Sequence, residues 1–190
     1  MKHILKPGLL LFVIAAVSTA SLALTHNLTL EPIANQRRRT QERTLQAVMP
    51  QATAFRIFSE ESSGSIVRIF ECLDGEDIIG YVAELASDGY SGSISMMVGF
   101  SKAENALTGM RIMKHSETPG LGDLAAKEQF YRGFDGRALE PLRVAKGTAG
   151  NNEIQAITAA TITTRAVVDA VNEAIEWFKG GINDEVYQAD

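Results

Sequence analysis

The hydrophobic pattern changes character twice along the chain. From Gly8 to Leu24 (GLLLFVIAAVSTASLAL) no side chain ionises. Seventeen such residues make a helix of about 25 Å at ~1.5 Å per residue, the short end of a bilayer span. His26 and Asn27 suit a headgroup layer, which extends the effective span to about Leu30. A polar stretch follows, Glu31–Met49, which predicts a helical stalk ending at Pro50. The pattern then turns to short apolar runs of period two. Ser65–Cys72 and Asp77–Ala86 flank Leu73-Asp74-Gly75-Glu76, an Asp-Gly turn that predicts a hairpin. Gly92–Phe100 and Ala106–Lys114 predict a second pair turning at Glu104-Asn105. Leu124–Tyr131 reads as a short helix. From Ile162, the apolar residues Ala166, Val167, Ala170, Val171, Ala174, Ile175 and Phe178 keep the spacing of one buried helical face, with Gly180-Gly181 expected to stop the helix. Strands followed by a packed C-terminal helix make the fold class α+β, with an antiparallel sheet. The expected organisation is an anchor over residues 1–30, a stalk over 31–50 and one domain over 51–190.

Composition narrows the chemistry. Of 190 residues, 45% are hydrophobic and 22% charged, with 16 glycines and 5 prolines, which excludes disordered and collagen-like chains. The net charge of −5 argues against nucleic acid as a partner. Cys72 is the single cysteine, and His3, His26 and His115 are the only histidines. That set excludes an internal disulfide, a cysteine zinc site and an iron–sulfur cluster held by this chain alone. Electron chemistry in such a protein needs an organic cofactor.

Charge also orients the anchor. Lys2 and Lys6 place the N-terminus in the cytoplasm. Arg37, Arg38, Arg39 and Arg43 lie on the far side, where a long following domain translocates regardless of charge. A cleaved secretory signal with small residues Ser18–Ala23 fits the same pattern; an uncleaved anchor is the reading adopted. Either way, residues beyond 30 lie outside the cytoplasm.

Two stretches are unlike structural filler. His115-Ser116-Glu117-Thr118-Pro119-Gly120-Leu121-Gly122-Asp123 follows a strand and holds a Pro-Gly turn where backbone can approach a ligand. Its plain alternative is a strand-to-helix turn, with Asp123 capping Leu124–Tyr131. Ile157-Thr158-Ala159-Ala160-Thr161-Ile162-Thr163-Thr164-Arg165 opens the C-terminal helix. With Thr158 as N-cap, Thr161 falls at the third helical position, among unpaired N–H groups that favour a phosphate. Small Ala159 and Ala160 leave room, and Arg165 stands one turn on. The alternative here is an ordinary threonine cap worth ~1 kcal/mol. Neither stretch completes a dinucleotide fingerprint or a Walker loop.

Taken together, HSETPGLG (His115–Gly122) and TAATITT (Thr158–Thr164), in this order after a short N-terminal span, resemble the G subunit of the Rnf electron-transport complex, an ion-translocating ferredoxin:NAD oxidoreductase. The C subunit of the sodium-pumping NADH:quinone oxidoreductase shares both motifs. The resemblance runs from the anchor to the last helix and is strongest over residues 94–172.

The resemblance implies an extracytoplasmic FMN-binding domain on a single-pass anchor in the cytoplasmic (inner) membrane. In that family the last threonine of an [S/T]GAT motif holds FMN through a phosphoester, made from FAD by a separate flavin transferase. The matching residue is Thr161, with Thr158 at the Ser/Thr position and Ala160 before the threonine. Ala159 stands where glycine is usual, and Gln155 where an acidic residue is usual. Glu117, Thr118, Leu121 and Gly122 are expected against the isoalloxazine ring or phosphate. The implied role is an electron-transfer subunit of a translocase rather than a stand-alone enzyme, with the complex's other membrane subunits as partners. Two alternatives remain: an assembly subunit that has lost flavinylation through Gln155 and Ala159, and an FMN domain feeding an exported reductase.

Overall fold

The computed structural model describes residues 2–60 and 63–186. Met1, at the tip of the expected anchor, Glu61 and Ser62, and residues 187–190, at the end of the expected domain, lie outside the described residues. Helix α1 (Lys2–Val48) is continuous through Pro7 and Pro32, so the expected anchor and stalk form one element. Five strands follow: β1 (Ala54–Ser59), β2 (Ile66–Asp74), β3 (Asp77–Asp88), β4 (Ser93–Ser101) and β5 (Ala106–Lys114). They form an antiparallel meander in sequence order. A 3-10 turn (Gly122–Ala126), the one-turn α2 (Glu128–Tyr131) and a second 3-10 turn (Arg132–Phe134) lead to β6 (Arg143–Ala145) and β7 (Glu153–Gln155), a short parallel pair. Helix α3 (Thr161–Val186) closes the described chain.

Compact packing divides the chain between Gln41 and Glu42. In the first unit the large apolar side chains from Leu9 to Ile33 are exposed. Among the described residues this is the one helix long and apolar enough to cross a membrane.

In the second unit the sheet is buried on both faces, and the period-two alternation shows how. Tyr81, Ala83 and Leu85 of β3 with Met96 and Val98 of β4 join the core beneath α3, which contributes Val167, Val171, Ala174, Ile175 and Phe178. Their neighbours Val82 and Met97, with Phe70 and Cys72, face the other way and pack under Leu45 and Val48 from the end of α1 and Met49 just after it. Thr108 donates its hydroxyl to the Val48 carbonyl at 2.7 Å, satisfying an acceptor that the helix end leaves free. Burial pushes the Cys72 thiol up to about 12, helped by the neighbouring Glu71 charge, so it stays a protonated packing group.

Both predicted hairpins form. Three strands were not predicted: β1, whose alternation is broken by a bulge between Ile57 and Ser59 and which pairs with β2 at the sheet edge, and β6 and β7, which at three residues each are too short to show a period. The predicted Leu124–Tyr131 helix is instead two short turns broken at Lys127, which has extended backbone (φ −92°, ψ 151°). Asp123 makes no capping bond. Gly180 and Gly181 do not stop α3, which continues to Val186; glycine lowers helix propensity by only about 1 kcal/mol.

Candidate functional site

Two turns of the same kind face one another across a cleft. In the first, the Leu121 N–H donates to the Thr118 carbonyl at 3.1 Å, and Gly120 sits at φ +77° after Pro119. Proline then a residue with positive φ is the signature of a type II turn. In the second, the Ala160 N–H donates to the Ile157 carbonyl at 3.0 Å, and Ala159 occupies the equivalent position at φ +62°. Here an L residue adopts a conformation that glycine would adopt freely, at a cost of about 1 kcal/mol. Ala159 is exposed and buries nothing that its methyl would lose. Ala159→Gly is therefore expected to raise stability by about 0.5–1 kcal/mol, checked by thermal or urea unfolding.

Thr164 locks the second turn. Its buried hydroxyl accepts the Ile157 N–H at 3.1 Å and donates to the Ala160 carbonyl at 3.0 Å. The same carbonyl takes the first helical bond, from the Thr164 N–H at 3.0 Å. Ala160 is thus the N-cap and Thr161 the first residue inside α3. This corrects the expectation of a Thr158 cap with Thr161 two positions further in. The physical reason is the tight turn at Ile157–Ala160, which holds Thr158 outside the helix.

The cleft, about 400 Å³, is lined by Tyr90, Glu117, Thr118, Leu121, Gly122 and Ala159 through Thr163. Its volume lies within the ~300–1,000 Å³ usual for small-ligand sites. Seven of the eight residues expected at a ligand come together here; Thr158 does not, and faces a separate depression beside Gln155 and Phe130. Arg165 is exposed and does not line the cleft. Glu153 uses its carboxylate within its own loop, accepting the Gly150 N–H at 2.9 Å.

Three residues that sequence reasoning missed complete the walls. Tyr90 stands at the tip of the β3–β4 hairpin, 71% exposed, in a turn closed by the Gly89 N–H donating to Gly92. An aromatic residue between two glycines in Asp88-Gly89-Tyr90-Ser91-Gly92 was the available signal. Ile162 is 57% exposed and Leu121 40%, so the rim offers apolar surface to a flat ring. Thr163 is buried and donates its hydroxyl to Glu117 at 2.7 Å.

The cleft also gathers backbone donors. Helices leave their first N–H groups without intrahelical partners. In α3 these belong to Thr161, Ile162 and Thr163, all at the cleft. An anion is favoured at such an end, and the apolar rim suits a flat organic group.

Comparison with known proteins decides the family. Residues 1–48 match the RnfG N-terminal region, and residues 89–176 match the FMN-binding domain. The G subunit of the Na(+)-translocating ferredoxin:NAD(+) oxidoreductase complex of Acetobacterium woodii is 36% identical, with 94% of this chain and 93% of that one aligned. The chain belongs to the RnfG family. Another member, the G subunit of the ion-translocating oxidoreductase complex of Methanosarcina acetivorans, is 32% identical, over 93% of this chain and 95% of its own. The fold is also that of solved C subunits. One from the Na(+)-translocating NADH-quinone reductase of Parabacteroides distasonis aligns with a TM-score of 0.59 at 17% identity, over 79% of this chain and 96% of its own. NqrC of Shewanella oneidensis aligns with a TM-score of 0.52 at 21% identity, over 66% of each chain.

Within this RnfG chain, the FMN-binding domain match takes in the whole cleft, from Tyr90 to Thr163.

Proposed function

We propose that this chain is the electron-transfer G subunit of an Rnf-type membrane complex coupled to ion translocation, and that it carries FMN as a phosphoester on Thr161. The observation that carries the reading is the position of Thr161: first residue of α3, half-buried, and on the wall of the cleft formed with Thr118, Leu121 and Gly122. FMN, once bound, supplies redox chemistry that links one- and two-electron partners.

The chain's own residues hold and orient that group. The first amides of α3 would hold the phosphate, Leu121 and Ile162 would shield the flavin from water, and Tyr90 would offer an aromatic face at the mouth. Attachment balances as a phosphoryl transfer. The Thr161 hydroxyl oxygen bonds to the FMN-side phosphorus of FAD, the phosphoanhydride breaks, AMP leaves, and one proton is released. A flavin transferase performs that step. The apolar part of α1 is the single-pass anchor, Lys2 and Lys6 keep the N-terminus in the cytoplasm, and the domain lies on the extracytoplasmic side of the inner membrane. The other membrane subunits of the complex are the electron partners. A covalent tether suits this side, where a lost flavin has no ready replacement.

The test is an intact mass. Co-expression of the full chain with a flavin transferase is expected to add about 438 Da, the mass of FMN less one water, as the covalent cofactor role requires. Peptide mapping is expected to place that mass on Thr161. An unchanged mass, or a flavin on another residue, overturns the reading.

A further inference from the structure

Glu117 is an unusual residue to find in a phosphate site. It is 6% exposed, and both oxygens are engaged by donors: Oε1 accepts the Ser91 N–H at 3.0 Å, and Oε2 accepts the Thr163 hydroxyl at 2.7 Å. Two donors and no acceptor suit the ionised carboxylate. The group is also clamped. A Cβ on Gly122 would lie 2.2 Å from Oε2, and one on Gly89 would lie 2.3 Å from Oε1, so both positions are kept bare around it.

No lysine or arginine lines the cleft among the described residues. The positive end of α3 is worth only about half an elementary charge. A fixed full negative charge therefore shares the site with that half charge, and the local field does not favour a second, doubly charged anion. A free phosphate monoester carries about −1.5 to −2 at neutral pH. The same phosphate esterified a second time carries a single charge.

We propose that Glu117 makes the cleft discriminate against free flavin phosphate, so that the flavin is retained only as a singly charged phosphodiester on Thr161. Glu117 is then a specificity residue, and the covalent bond replaces the basic side chains that a dissociable FMN site would use. The inference rests on the flavin reading of the cleft.

The test uses the full chain in detergent, prepared without a flavin transferase, with free FMN and riboflavin as probes. Binding is followed by quenching of flavin fluorescence. The wild-type chain is expected to bind FMN no more tightly than riboflavin. Glu117→Gln keeps the shape of the side chain and removes its charge. It is expected to gain about 10-fold or more for FMN and little for riboflavin, because only FMN brings a second charge. Thr163→Val removes a hydrogen bond to the carboxylate but leaves its charge, and is expected to show no gain for FMN. Tighter binding of FMN than riboflavin by the wild type overturns the inference even where Glu117→Gln fails to fold. An equal gain for both flavins in Glu117→Gln, or no gain, overturns it as well. Absence of binding by every chain and both probes, Glu117→Gln included, overturns this inference, while the covalent assignment stands or falls on the mass measured with the flavin transferase, which separates the two failures.

Discussion

Thr161→Ala is expected to give a folded, colourless protein. Co-expressed with a flavin transferase, the wild-type chain should run as a fluorescent band on a denaturing gel, and the alanine variant should show none. The loss is complete rather than graded because the ester oxygen is the Thr161 hydroxyl itself. The fold should survive. Thr161 is the first residue of α3 and only half-buried, and the bonds that fix the turn before it belong to Thr164 and Ala160. Alanine is the best helix former, so the stability change should stay within about 0.5 kcal/mol. Thr158→Ala is the matched control. Thr158 is exposed and faces the neighbouring depression, so its loss should leave the fluorescent band in place. Fluorescence that persists in Thr161→Ala, or disappears in folded Thr158→Ala, contradicts the assignment.

Gly99→Ala carries the largest expected loss of stability. Gly99 pairs with Gly109 across β4 and β5, directly under the end of α1. A Cβ at residue 99 would lie 2.2 Å from Thr108 Oγ1, 2.6 Å from Val48 Cγ1 and 3.3 Å from the Val48 carbonyl oxygen. None of these atoms yields easily. The Thr108 hydroxyl is tied to that same carbonyl, and Val48 is fully buried against the sheet. Overpacking of this kind costs about 3 kcal/mol. For a domain of this size that lowers the melting temperature by roughly 6–12 °C. Differential scanning calorimetry of the two proteins measures it, and a shift below about 2 °C would mean that α1 lifts from the sheet at little cost.

The parts of the fold that were legible in the sequence are those where one physical signal dominated. The Asp74-Gly75 turn and the apolar runs beside it specify the β2–β3 hairpin, and the i, i+4 apolar face of α3 survives in the core beneath β3. The misses have separate reasons, beginning with β6 and β7, which are too short at three residues each to carry a pattern. The bulge in β1 breaks its alternation, Lys127 interrupts what reads as one short helix, and two glycines in α3 cost too little to end it.

The site was half legible. The two motifs named Thr161, Glu117, Thr118, Leu121 and Gly122, but their chemistry depends on positions in space. Thr158 looked like the cap because threonine caps helices. Only the turn at Ile157–Ala160, with Ala159 at positive φ, shows that Ala160 is the cap and that Thr158 points elsewhere. Glu117 read as a ligand contact, whereas its oxygens are both occupied by protein donors. Tyr90 lies 71 positions before Thr161 and is brought to the cleft by sheet register alone, which no local pattern encodes.

The end of α1 also sets where the protein can be cut. Leu45, Val48 and Met49 roof one face of the sheet as surely as α3 roofs the other. A soluble fragment trimmed at Pro50, where the sequence suggests the stalk ends, would strip Phe70, Val82 and Met97 of their cover and leave a sticky, aggregation-prone plate. A fragment beginning near Glu42 keeps that roof, and is the shorter piece of this chain worth crystallising.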